Sequence, residues 1–274
     1  MGRKTAEHIR RLKNEKKKIV MLTAYDYATA QILEEAGVDI VLVGDSLANV
    51  VLGYEKTAQV TMEEMLHHAK AVDRAVKNAL LVGDMPFEAY QLDIAHCADN
   101  AKRFVDEAHV GAVKLEWFDH CLEATMRIVK SGIEVMGHVG LTPQTAQDFK
   151  VQGKDAQSAQ QILNHAKELE RAGSFSLVLE CIPDLLAKEI TKAVSIPTIG
   201  IGSGVYCDGQ VLVINDLLGL QDKFKPKFVK RYADLKGISL EAVQRFSREV
   251  RNGTFPDDEH SYHMKAEALK RMRS

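Results

Sequence analysis

The sequence predicts an α/β fold in which eight parallel strands, alternating with helices, close into a TIM-type (βα)8 barrel. Three observations predict it. Eight apolar runs rich in Val, Ile and Leu recur along the 274 residues, and most are continuous rather than alternating, as strands buried on both faces are. Amphipathic helical stretches lie between most of them. No Pro/Gly/Ser linker or low-complexity segment divides the series, so residues 1–274 read as one domain.

The chain opens with "RRLKNEKKK", read as the solvated face of an amphipathic N-terminal helix started by Thr5. The first two strands are "IVMLTAY" (19–25) and "IVLVGDS" (40–46), and the helical "ATAQILEEAG" between them closes on a glycine. "TMEEMLHHAKAVDRAVKN" carries a capping box, Thr61 with Glu64, and places Asp73 mid-helix on a solvent face. "ALLVGDM" (79–85) and "AVKLEWF" (112–118) are the third and fourth strands, separated by "DIAHCADNAKRFVDEAHVG". Around the strands "IEVMGHVG" (133–140), "FSLVLECIP" (175–183) and "IPTIGIGSG" (196–204), three more helices repeat the plan of polar cap and apolar stripe. They are "DHCLEATMRIVKSG", "DAQSAQQILNHAKELERAG" and "DLLAKEITKAVS". The link "VYCDG" to the last run, "GQVLVINDLLG" (209–219), is too short for a helix, so this crossover must be reduced. Beyond it "KPKFVKRYADL" and "SLEAVQRFSREVRNG" read as extra C-terminal helices, and about 258–274 as an exposed tail.

Net charge is −2, from 36 basic and 38 acidic residues, which gives no electrostatic case for nucleic acid or an anionic membrane. No run approaches the roughly 18 apolar residues of a membrane span, and the N-terminus has no signal-peptide core. Cys97, Cys121, Cys181 and Cys207 are scattered without a C-x-x-C pair, which argues against zinc and fits reduced thiols in a cytoplasmic protein.

In such a barrel the chemistry comes from the C-terminal ends of the strands and the loops beyond them. That position reads Asp26, Asp45, Asp84, Lys114 with Glu116, His138, Glu180, Ser203 and Asp216. Asp45 and Asp84 share the wording Val-Gly-Asp on consecutive strands. A lone Asp there is ordinarily a turn residue or a cap, but two on adjacent strands can converge. Carboxylates on one rigid rim repel unless a cation joins them, and oxygen-only donors point to a hard ion, Mg²⁺. Asp45, Asp84 and Glu116 fit magnesium's habit of taking one or two carboxylates and keeping waters. Lys114 and Glu116, two apart on one strand, share a face and both look into the mouth.

His138 stands in an apolar run, where packing and function are equally open readings. His67 and His68 belong to an amphipathic helix and read as structural. "GIGSG" (200–204) lacks the G-x-G-x-x-G spacing of a dinucleotide loop, and tight turns explain it. Cys181 follows Glu180 without a supporting histidine nearby and reads as a packing residue.

The blocks "VGDSLANVVLGYEKTAQVTMEEMLHHAKAV", "VGDMPFEAYQ", "AVKLEW", "MGHVGLTPQ", "LVLECIP" and "GIGSGVYCDGQVLVINDLLG" resemble ketopantoate hydroxymethyltransferases. The match runs in order from about residue 5 to about 257, with Ala48 where many members have glycine. The resemblance implies a barrel of the phosphoenolpyruvate/pyruvate superfamily. It implies synthesis of ketopantoate (2-dehydropantoate) from 3-methyl-2-oxobutanoate and 5,10-methylenetetrahydrofolate, through a Mg²⁺-stabilised enolate, in pantothenate biosynthesis. By the same resemblance Asp45 and Asp84 bind Mg²⁺ and substrate, with Glu116 in the metal shell through water. Ser46 and Lys114 would hold the 2-oxo acid, His138 would line its pocket, and Glu180 would be the catalytic acid/base. A homodecamer is implied as well.

Two other readings share these residues. A Mg²⁺-dependent C–C lyase or decarboxylase resembling isocitrate lyase would use the same carboxylates, but such lyases carry a cysteine in the loop where this chain reads "MGHVGLTPQ". A non-catalytic metal and 2-oxo-acid binding protein would not need Lys114, Glu116 and Glu180 intact together.

Overall fold

The structure is a computed structural model and describes residues 2–146, 149–221 and 226–272. Along the chain run α1 (Ala6–Asn14), β1 (Ile19–Thr23), α2 (Tyr27–Glu35), β2 (Ile40–Val43), α3 (Leu47–Val50) and α4 (Met62–Asp73). Next come β3 (Leu80–Asp84), α5 (Phe87–Tyr90), α6 (Cys97–Ala108), β4 (Ala112–Glu116), α7 (Cys121–Lys130) and β5 (Val135–Gly140). The last third holds α8 (Ala156–Arg171), β6 (Ser176–Glu180), α9 (Asp184–Ala193), β7 (Thr198–Ile201), β8 (Gly209–Leu212), α10 (Ile214–Leu217), α11 (Leu235–Arg251) and α12 (Ala266–Met272). Every strand pairs in parallel with its neighbour in sequence, and β8 returns to β1, so the sheet is a closed barrel. The eight apolar runs are these eight strands.

Strand alternation divides the core into an inside and an outside. Met21, Leu42, Val82, Met136, Val178 and Ile199 form one buried cluster in the barrel, which α1 joins through Ala6, Ile9 and Leu12. Helix α1 thus closes the end of the barrel opposite the mouth. Outside, α4 and α6 pack Met65, Leu66 and Phe104 onto β2 to β4, while α8 and α9 cover β5 and β6 with Leu169 and Ile190. The Thr61–Glu64 capping box starts α4 as its spacing requires. No helix separates β7 from β8, in keeping with the short link.

Several local expectations give way to tertiary contacts. Lys13 is not on a solvated face: its Nζ donates to the carbonyls of Thr191 (3.2 Å), Val194 (3.1 Å) and Ile196 (2.8 Å) and lies 3.0 Å from Asp208. In "KPKFVKRYADL" Lys225 lies outside the described residues, and 226–234 form no helix. Pro226 offers no N–H there, and the N–H of Tyr232 is spent on the Leu217 carbonyl at 2.8 Å. The last run is split, the strand ending at Leu212 and α10 taking residues 214–217. Helix α6 closes on His109 in the left-handed conformation, φ 48°, before Gly111 is reached.

Helix α11 buries none of its residues, and residues 256–272 are exposed apart from half-buried Ser261. Among the described residues no helix is long and apolar enough to cross a membrane.

Asp73 is not the solvated acid its spacing suggests. It ends α4, accepts from Arg3 at 2.8 Å, and lies 3.0 Å from His109 Nδ1, tying the N-terminal arm to the end of α6. Partial burial opposes its charge, yet hydrogen bonds from His109 and Arg3 hold its carboxyl below the ordinary carboxylate range. A carboxyl lowered on folding adds stability above its unfolded value of about 3.9, and that stability is lost as pH falls through the folded value. Asp73→Asn is therefore expected to cost about 0.5–1.5 kcal/mol at neutral pH. The gap between parent and variant should narrow below about pH 4; urea titrations across that range check it, and a pH-independent gap would exclude the ion pair as its source.

Candidate active site

The mouth is built on strand register. Asp84 and Lys114 face each other across β3 and β4, and both side chains are buried. Lys114 Nζ donates to both carboxylate oxygens of Asp84, each at 2.8 Å. After β2 the chain turns so that the Asp45 N–H donates to Asp84 Oδ2 at 3.2 Å. The Asp45 carboxylate in turn accepts from Gln144 Nε2 at 3.0 Å. One residue pair further up, Glu116 and His138 are partners across β4 and β5, and Gly140 and Glu180 across β5 and β6. Glu116 Oε1 lies 3.8 Å from His138 Nδ1, and Glu180 Oε2 lies 3.3 Å from His138 Nε2.

Gln144 and Tyr90 knit these groups together, and sequence reasoning assigned neither a role. The Gln144 backbone N–H donates to Glu116 Oε2 at 3.0 Å, and its side chain reaches both Asp45 and the Met85 carbonyl at 3.1 Å. Tyr90, on the short α5, donates its hydroxyl to Gln144 Oε1 at 2.7 Å and accepts the Glu116 N–H at 3.1 Å. Both stand inside the quoted blocks "LTPQ" and "FEAYQ", but nothing in a glutamine after a proline or a tyrosine on a short helix announces a contact made across the mouth.

The other rim residues separate. Ser46 borders the site, its hydroxyl sharing a 2.8 Å hydrogen bond with Tyr25, whose carbonyl accepts from His68 at 2.6 Å. Asp26 is exposed and caps α2 through the Thr29 N–H at 2.8 Å. Asp216 sits in α10 and accepts from Gln221 at 2.9 Å. Ser203 is buried and donates to the Leu179 carbonyl at 2.7 Å. These three do not join the carboxylate cluster. Cys181 is half-buried, its thiol pushed up to about 12 by burial and the neighbouring Glu180 charge.

Electrostatically, four carboxyl groups share the mouth with the single ammonium of Lys114. Burial pushes the Asp84 carboxyl up to about 7 against the pull of Lys114, with Asp45 adding to the rise. Burial, then Asp45, lifts Glu116 well above the ordinary range, again against Lys114. Burial and the Lys114 charge hold the His138 imidazole down, against the pull of Glu180. Glu116 Oε1 and both His138 ring nitrogens are buried with no aligned hydrogen-bond partner. Such orphaned atoms around one space are what a bound ligand satisfies. Among the described residues no three His, Cys, Asp or Glu side chains form a ready-made metal cage.

The profile of the ketopantoate hydroxymethyltransferase family matches residues 3–258. The chain belongs to that family. A 3-methyl-2-oxobutanoate hydroxymethyltransferase from Syntrophomonas wolfei is 50% identical over 275 residues, covering 99% of this chain and 100% of the relative. One of the same name from Syntrophus aciditrophicus is 54% identical over 265 residues, 95% of this chain and 97% of that one. Among solved structures, phosphonopyruvate hydrolase in complex with oxalate and Mg²⁺ superposes with a TM-score of 0.60 at 12% identity, covering 98% of this chain and 97% of that one. A 2,3-dimethylmalate lyase, described as a PEP mutase/isocitrate lyase superfamily member, gives 0.56 at 14% identity, with 98% and 94% covered. At such identities the likeness is one of fold, and it agrees with the closed barrel that this hydroxymethyltransferase family member adopts.

The Asp84–Lys114 pair makes a stability prediction that is separate from activity. Asp84→Asn leaves a buried ammonium short of its counter-charge and should cost about 3–5 kcal/mol in urea unfolding. Asp84→Asn with Lys114→Met removes both charges and should cost less than the sum of the single changes. Simple additivity would mean that the two groups do not depend on each other.

Proposed function

We infer that the chain catalyses its family's reaction, making ketopantoate from 3-methyl-2-oxobutanoate and a one-carbon unit. The observation that carries this beyond the family match is the joining of Asp45, Asp84, Lys114 and Glu116 at one barrel mouth, with His138 and Glu180 beside them.

The donor set fits Mg²⁺. It offers oxygens only, Glu116 Oε1 is buried without a partner, and burial makes the ionised forms of Asp84 and Glu116 costly until a cation is near. Asp45 and Asp84 would hold the ion, with Glu116 reaching it through water and the remaining positions left to water and the 2-oxo acid. When bound, the ion polarises the keto group and stabilises enolate charge by several kcal/mol.

The chain's own residues do the rest. Lys114 gives two of its three N–H donors to Asp84, leaving one for an oxygen of the 2-oxo acid. Ser46 borders the same space, and its hydroxyl, steadied by Tyr25, is available to the substrate carboxylate. Glu180 takes the proton from C3. His138, whose Nε2 lies 3.3 Å from Glu180 Oε2, can hold that carboxyl group in place. Water adds to the one-carbon unit and supplies the hydroxyl oxygen, tetrahydrofolate leaves with its nitrogen protonated, and the C–C bond forms between C3 and the released formaldehyde carbon, whose oxygen takes up a proton. Because C3 becomes quaternary, an amine attached through the new CH₂ could not be eliminated, so water must release the carbon from 5,10-methylenetetrahydrofolate before the C–C bond forms.

The four unpaired thiols fit a reducing cytoplasm. A homodecamer is supported by α11, which leaves Ile238, Val243 and Phe246 more than half exposed, an apolar face that another subunit would cover. Light scattering should then return the mass of ten 30.5 kDa chains; a stable monomer would contradict this.

The deciding assay mixes enzyme, 3-methyl-2-oxobutanoate, 5,10-methylenetetrahydrofolate and Mg²⁺. Ketopantoate should form, stop on chelation and resume when Mg²⁺ is restored; full turnover by a metal-free sample would remove the ion from the reaction. Glu180→Gln should still bind substrate and Mg²⁺ while turnover drops about 10²–10⁴-fold. Unchanged exchange of the C3 hydrogen with D₂O in this variant, where the parent exchanges it, would move the base elsewhere.

A further inference from the structure

Glu180 ends β6, and the strand does not run on. The next residue, Cys181, has φ 49°, a left-handed conformation that costs a side-chain-bearing residue about 1–2 kcal/mol. Such a backbone persists only where its surroundings over-determine it. Here they do, from both neighbouring strands. The Glu180 carbonyl accepts the Leu141 N–H at 2.9 Å, the Cys181 N–H donates to the Ile201 carbonyl at 2.8 Å, and the Cys181 carbonyl accepts the Gln152 N–H at 2.8 Å.

The buried Ser203 hydroxyl spans the same two residues. It donates to the Leu179 carbonyl at 2.7 Å and lies 3.5 Å from the Ile182 N–H. Space is cleared on both sides as well. A side chain at Gly140 (φ 102°) would collide with the Glu180 carbonyl oxygen, and a Cβ at Gly202 (φ 66°) would stand 3.3 Å from Cys181 Sγ and 2.8 Å from the Phe228 ring. Three successive strand ends, those of β5, β6 and β7, thus carry residues of positive φ, and they meet at the backbone of Glu180 and at Cys181. By alternation along β6, Ser176, Val178 and Glu180 point to the same side. The turn takes the chain outward right after Glu180 and leaves its carboxyl over the mouth, 3.3 Å from His138 Nε2.

We propose that Cys181 is a positioning residue: its left-handed turn, locked by the β5 and β7 loops, holds the Glu180 carboxylate at the angle needed to take the C3 proton. It acts through Glu180, and the proposal rests on the reading of Glu180 as the acid/base. The thiol takes no part.

Steady-state kinetics on the intact enzyme test it. Cys181→Val, whose β-branched side chain resists positive φ, should lower kcat about 10- to 100-fold, with KM for 3-methyl-2-oxobutanoate and Mg²⁺ affinity unchanged. Cys181→Gly, which takes the left-handed form freely, should turn over close to the parent. Should the valine variant misfold, Gln152→Pro removes the N–H that binds the Cys181 carbonyl, and Gln152→Ala, which removes only the side-chain bond to the Lys150 carbonyl, controls for the rest; the same kcat-confined loss is expected of the proline variant alone. Parent-like kcat in a folded perturbing variant overturns the proposal. So does a loss shared in proportion among kcat, KM and metal affinity, or a glycine variant as damaged as the valine one. Glu180→Gln, assayed alongside, separates the two levels. If it turns over like the parent, the acid/base assignment fails and the positioning role falls with it; if it is crippled while the Cys181 and Gln152 variants are not, only the positioning role fails.

Discussion

An ammonium group buried at the neck of a barrel has to be met by a carboxylate before the strands can close around it. Lys114 and Asp84 meet this requirement in register on β3 and β4, and the rest of the mouth follows. With both Asp84 oxygens drawn towards Lys114, the Asp45 N–H has an anchored acceptor, which fixes the turn after β2. Taking both charges out of water costs several kcal/mol per ion, so the pair is a poor way to gain stability. It is a good way to keep a carboxylate and a cationic donor apart from solvent and at a fixed spacing, where electrostatic effects on a substrate are strong.

A second layer turns that pair into a site. Gln144 and Tyr90 leave almost none of their polar atoms idle: between them they bind Asp45, Glu116 and the Met85 carbonyl. These contacts join the ends of β2, β3, β4 and β5 through side chains, above the apolar barrel interior. At the mouth itself, Glu116 Oε1 and the two nitrogens of His138 are buried without partners.

The barrel and its rim were legible in the sequence because both are governed by short-range rules. A strand buried on both faces must be continuously apolar, and alternation then says which residues at its end face inward, so Asp84, Lys114, Glu116, His138 and Glu180 could be named together. The convergent carboxylates already pointed to Mg²⁺, whereas the parts given to Ser46, Lys114, His138 and Glu180 came from the resemblance to a family. Where chain-distant contacts decide, the text gave no warning. Asp26 and Asp216 looked like rim residues because the runs holding them read as strands two or more residues too long, and both settled into local hydrogen bonds. Lys13 and Asp73 looked solvated until partners far along the chain reached them. Residues 226–234 had a helical composition, but the Tyr232 N–H was claimed by the Leu217 carbonyl of α10.

Helix α1 shows what such distances mean for assembly. Its Lys13 is 183 residues from Ile196 and its Arg10 is 124 residues from Glu134, so its polar docking partners lie far along the chain. Helix α1 meets β1 to β3 through Ala6, Ile9 and Leu12, but its polar anchors wait for Glu134 beside β5 and for the segment before β7. Contacts of such long separation bring their reward only after a large loop has been closed. The full set of contacts that closes this end of the barrel therefore forms late, once the segments before β5 and β7 are both in place.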